Sequence, residues 1–201
     1  MGGEPSTRIS GRQKFLKSPV VVLVAVSHGG ELDQPFFDFD NFFKLFRSTD
    51  GLVSWRIRLH PVQAKSLRFA SFRRQMDSLV RENPNTEWRT ATSMSGREAI
   101  LGSHVVVTHF SEIVYDAAFL GRKSAVLWEE PRNPKLERFR HFPELEKAGF
   151  VKFFDFEDRS LVDWVRQQKE IVPWTAPSQS PLDLREVVAR IVRMKEVKPW
   201  L

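Results

Sequence analysis

The first strong pattern in the chain is a run of seven apolar, mostly β-branched residues at 20–26. An unbroken run of this kind fits a strand covered on both faces, as in a parallel sheet, rather than one with a wet side. The period then changes. Phe39, Phe42, Phe43 and Phe46 recur at helical spacing behind Asp38 and Asp40, either of which can cap a helix running to about Arg47. Residues 53–59 read as a second strand, ending on His60-Pro61. A single amphipathic helix fits 63–82, stopped by Asn83-Pro84-Asn85.

The alternation continues to the end of the chain. A short strand is expected at 86–91, and Ser95 with Glu98 forms a capping-box pattern that starts a helix to Leu101. A strand at 104–108, a helix at 111–120 and a strand at 124–128 follow. Residues 134–148 are helical in part, with Pro143 breaking or restarting the helix, and Gly149 is a natural stop before a strand at 151–154. Helices at 158–170 and 182–196 flank a Pro/Ser-rich stretch at 173–181. Strands alternating with helices predict an α/β fold with a single doubly wound parallel sheet, Rossmann-like in architecture. The expected organisation is a flexible leader at 1–18, one domain at 19–172, and a linker with a C-terminal helix packing on that domain at 173–201.

Composition narrows the classes. With no cysteine among 201 residues, disulfide frameworks and thiolate metal sites are excluded. The histidines show no metal-ligating spacing, so neither a metal nor a cofactor is expected. No apolar run is long enough to span a bilayer and the leader has no secretory core, which makes the cytoplasm the expected location. A formal net charge of +6 favours an anionic partner: a nucleotide, nucleic acid or the cytoplasmic face of a membrane, the last by peripheral contact. Charge alone suggests nucleic acid, and no recognised motif or aromatic–basic interleaving supports it.

Parallel α/β sheets bind ligands outside the carboxyl ends of their strands. In this chain that rule selects the turns at 27–31, 60–61, 91–95, 109–111 and 128–132. Pro61 pushes His60 towards extended geometry and holds its imidazole at a strand tip, where it can bond a phosphate oxygen. Ser111 stands at an expected helix start, where a hydroxyl can cap the first turn or meet a phosphate. Asp116, five residues on, is placed for a ribose hydroxyl. Gly29 and Gly30 allow close backbone approach after the first strand, though they form no dinucleotide fingerprint. Ser93 adds a hydroxyl in the third turn, and Glu129, Glu130 and Arg132 follow the fifth strand. The phenylalanines at 36–46 read as core, or alternatively as a docking face.

These residues resemble the C-terminal nucleotide-binding domain of GT-B glycosyltransferases. The likeness is to capsule- and teichoic-acid-type enzymes: polysialyltransferases, Kdo transferases and glycerophosphotransferases. Arg58-Leu59-His60-Pro61 matches their Arg-x-His-Pro-like strand end; Ser111, Asp116-Ala117 and Gly121 match the later Ser, Glu-Ala and Gly. The resemblance implies that His60 and Ser111 hold the donor's phosphate, that Asp116 meets the ribose where the family has Glu, and that His60 is the candidate for catalysis. It also implies a nucleotide-activated sugar or polyol phosphate of the CMP, CDP or UDP type. GT-B enzymes have two such domains, so an acceptor-domain protein partner is expected. The alternative is a non-catalytic interaction protein that keeps the half-fold.

Overall fold

A computed structural model describes residues 19–28, 35–127, 141–155 and 160–170. Strands β1 (Val20–Ala25), β4 (Val53–Arg58), β5 (Thr86–Glu87), β6 (Val105–Thr108), β7 (Lys123–Val126) and β8 (Val151–Phe153) form one six-stranded sheet in the order β5-β4-β1-β6-β7-β8. All five pairings are parallel. A two-stranded antiparallel ribbon, β2 (Ser27–His28) with β3 (Pro35–Phe36), leaves the end of β1. The fold is therefore α/β, doubly wound and Rossmann-like, as the alternating pattern predicts.

Alternating side chains along each strand feed two separate layers. One face carries Val22, Val24, Trp55, Ile57, Val105 and Val107. It is covered by α1 (Phe39–Ser48), α3 (Ala70–Glu82) and α8 (Ser160–Gln167) through Phe42, Phe46, Met76, Leu79, Leu161 and Val165. The opposite face carries Leu23, Ala25, Val106 and Val126 under α4 (Arg89–Ser93), α5 (Gly96–Leu101), α6 (Ile113–Phe119) and α7 (Phe142–Lys147). Trp55 is buried beneath α1, with its ring centroid 5.0 Å from that of Phe46 and its Nε1 donating to Thr49 Oγ1 at 2.8 Å.

Local chemistry explains most boundaries. Asp38 accepts from Asn41 N at 3.0 Å and starts α1. Ser95 and Glu98 form the predicted capping box of α5. Gly121 and Gly149 take positive φ angles of 71° and 78°, a conformation that ends a helix cheaply only at glycine. Pro143 lies in the first turn of α7, so it restarts a helix rather than breaking one.

Two expectations are corrected. The single helix at 63–82 is divided into α2 (Pro61–Lys65), a 3₁₀ turn (Leu67–Phe69) and α3, because Ser66 is extended at ψ 136°. The carbonyls freed there are taken by Arg73, whose Nη1 donates to Gln63 O at 2.7 Å and Ser66 O at 2.8 Å. The strand at 86–91 stops after Glu87, since the Glu87 carboxylate accepts from Thr90 N at 3.0 Å and Ala91 N at 3.3 Å and nucleates α4. The leader, the stretch at 173–181 and the helix at 182–196 lie outside the described residues.

Candidate functional site

β1 and β6 are neighbours in the sheet, yet β1 leads to a helix on one face and β6 to a helix on the other. Their carboxyl ends form the topological switch point of the sheet, where ligands of doubly wound proteins sit. Here a chain of hydrogen bonds runs across the two strands. Phe110 N donates to Ser27 Oγ at 3.2 Å, Ser27 and Thr108 share a hydroxyl contact of 3.3 Å, and Thr108 Oγ1 donates to Ala25 O at 2.9 Å. Because the threonine proton goes to Ala25, the serine proton must go to Thr108. Every hydroxyl in the chain is thus oriented the same way, which strengthens each bond.

The next strand over is tied into the same rim. Gln63 is completely buried in α2, donates from Nε2 to Ser27 O at 3.1 Å and accepts at Oε1 from His60 N at 2.9 Å. Leu59 N donates to Thr92 Oγ1 at 3.1 Å, which fastens α4 to the end of β4. Gln63 and Thr108 are the residues that reading the sequence missed, whereas Thr92 lies in the turn selected at 91–95. Thr108 had a signal, as the polar end of a valine strand; Gln63 is recognisable only through a partner far along the chain.

His60 is exposed as the N-cap of α2, and its Nδ1 accepts from Val62 N at 3.4 Å. An Nδ1 that accepts makes Nε2 the donor of the ring. Pro61 occupies the first turn of α2 and is exposed. Ser111 is half-buried and its Oγ accepts from Ile113 N at 3.4 Å, while α6 itself begins two residues later than Ser111. Asp116 is exposed overall one turn into α6, yet partial burial of its carboxyl, followed by the Glu112 charge, holds that carboxyl above the ordinary range. Ser93 lies inside α4 and gives its proton to Thr90 O at 2.8 Å. The hydrogen-bond network therefore links the His60 backbone to the turn after β6, whereas Ser93 bonds within its own helix. Gly29, Gly30 and the turn at 128–132 lie outside the described residues.

His109, next to the serine–threonine chain, is 2% exposed and stacks edge-on against Phe42 with centroids 5.6 Å apart. Burial pushes its pKa down to about 4, against the opposing pull of Asp38. Phe42 and Phe46 are fully buried, and Phe37, Phe39 and Phe43 pack on them. That assigns Phe42 and Phe46 to the core, with Phe37, Phe39 and Phe43 half-buried at its edge; the Phe36 side chain lies outside the described residues. Among the described residues no cluster of three or more metal-ligating side chains occurs, and no helix is long and apolar enough to cross a membrane.

No family model matches the chain, and no curated protein matches it. Among solved structures it is similar to the "Glycotransferase of kitacinnamycin", with 12% identity and a TM-score of 0.43 over 94% of this chain and 47% of that one. The chain thus spans about half the length of that structure.

Proposed function

We propose that the chain is the donor-binding half of a GT-B-like glycosyltransferase, taking a nucleotide-activated sugar or polyol phosphate of the CMP, CDP or UDP type. The observation that carries this reading is the switch point between β1 and β6, with the exit of β4 fastened to it through Gln63. Under this reading His60 donates from Nε2 to a phosphate oxygen. Ser111 offers a hydroxyl to the same group, and Asp116 accepts from the ribose. Pro61 fixes the approach of His60, and Gly29 and Gly30 admit the donor's backbone-facing edge. Ser93 is the weakest member of the set, because its proton already has a partner.

The chemistry asked of these groups is electrostatic. Charge that develops on the leaving nucleotide is stabilised by donors already in place, which lowers the barrier without a proton being moved by the protein. The acceptor and a general base would come from a second domain or partner protein.

A thermal-shift series with CMP, CDP, UDP and GDP tests the reading. Ligand at a hundredfold excess over its dissociation constant adds about 2.7 kcal/mol, a rise in melting temperature of roughly 5–10 °C for a domain of this size. His60→Ala and Ser111→Ala are expected to remove the rise while leaving the ligand-free melting point nearly unchanged. No rise with any nucleotide at millimolar concentration would exclude donor binding.

A further inference from the structure

Exposed leucines are ordinary when they occur singly, so what surrounds one decides whether it means anything. Leu67 is 87% exposed, about twice as much as Leu52, Val62 or Phe119, the other exposed large apolar residues among the described residues. It does not hang from a loose loop. It opens a 3₁₀ turn whose preceding carbonyls, Gln63 O and Ser66 O, are both gripped by Arg73. Lys65 and Arg68 flank it and are exposed, and Arg74 continues the solvent side of α3 one turn further on. Val62, 41% exposed, extends the apolar part towards His60.

The charge along this stretch of sequence has one sign. No aspartate or glutamate occurs anywhere from residue 51 to residue 76. An exposed apolar side chain between exposed cations complements one kind of surface well: anionic headgroups over hydrocarbon. We propose that the stretch 61–74 is a docking surface for an anionic lipid bilayer, with Leu67 inserted among the acyl chains and Lys65, Arg68 and Arg74 at the headgroups. The surface adjoins His60, so docking would bring the carboxyl rim of the sheet close to the membrane. The inference does not depend on the donor-binding reading.

Co-sedimentation of the whole chain with phosphatidylcholine vesicles, with and without about one third phosphatidylserine, tests it. Binding is expected only with the anionic lipid and is weakened as salt is raised from about 0.1 M to about 1 M. Lys65→Ala and Arg74→Ala should each weaken it about fivefold. Leu67→Asp, at a site too exposed to disturb folding, should weaken it by more than either while the melting temperature stays that of the wild type. The leader also carries Arg8, Arg12, Lys14 and Lys17, so binding that survives Leu67→Asp unchanged would overturn the proposal, as would no binding to anionic vesicles. A single-stranded RNA bound as tightly as the vesicles, and equally by Leu67→Asp, would assign the cations to nucleic acid and overturn it too.

Discussion

At the amino-terminal end of the sheet charged side chains close the end of a helix, whereas at the carboxyl end neutral ones, Ser27, Thr108 and Gln63, join the strand exits through backbone groups and one hydroxyl–hydroxyl contact. Arg122, 3% exposed, donates to Leu101 O at 3.2 Å, and Arg56 donates to Gly102 O at 3.1 Å. Two guanidinium groups, one from β4 and one from the turn before β7, thus close the negative end of α5. His104 Nδ1 accepts from Val21 N at 3.0 Å, and burial holds that imidazole below its ordinary pKa. An open depression of about 540 Å³ lies at this end, lined by Val20, Leu52, Arg166 and Lys169 among others. At the carboxyl end Ser27 meets Thr108 hydroxyl to hydroxyl, while Gln63 bonds backbone at Ser27 O and His60 N. A hydroxyl that bonds a hydroxyl can exchange it for a ligand oxygen at little cost; a guanidinium that caps a helix cannot leave without uncapping it. Burial and polarity alone therefore do not mark a binding end, and an exchangeable hydroxyl link does.

The comparison is most exposed to failure at His109. Its native pKa of about 4 lies below the ordinary 6.5, so between those values the unfolded chain binds a proton that the native chain does not. Stability must fall as pH falls through that window, by about 3 kcal/mol at its acid end. Urea unfolding from about pH 7 to about pH 4 should show this loss, and His109→Gln should remove that part of it. An unchanged pH profile in the variant would mean that the carboxyl end is not as dry as its burial implies. Arg122→Ala comes next. It leaves a cavity and an under-bonded carbonyl, at a cost of about 2 kcal/mol, while Arg122→Met fills the space without a buried charge and should recover most of it. Neither should alter a nucleotide-induced shift, which separates structural from ligand-facing polarity. The smallest effect belongs to Thr108→Val. Loss of one buried hydroxyl link should cost about 1 kcal/mol, seen as a melting temperature roughly 2–4 °C lower. If the same change in a Ser27→Ala background costs as much again, the two hydroxyls are not coupled.

How legible each part was depended on the sequence distance of its partners. The capping box at Ser95, the cap at Asp38 and the stops at Gly121 and Gly149 involve neighbours within a turn, and they appear where the pattern places them. The break at Ser66 was invisible because Arg73, seven residues on, compensates it; without that side chain a continuous helix would be the cheaper solution. Glu87 looked like strand because its carboxylate's role as a cap depends on the backbone turning back. At the site, His60 and Ser111 could be singled out as strand-end polar residues. Ser27 and Thr108 are 81 positions apart, and nothing local declares that they meet.

Gln63 has a mechanical consequence. Its amide is a short strut with two unlike ends: the carbonyl oxygen receives from the exit of β4, and the amino group gives to the exit of β1. Turned by half a revolution, it would face donor with donor and acceptor with acceptor, so its orientation is locked. A carboxylate of the same shape would set two oxygens against each other at the β1 exit. The two strand exits, already joined by Val26 N donating to Arg58 O at 3.0 Å, are thus bridged a second time by one side chain, and a displacement of the β1 exit is handed directly to the backbone that carries His60.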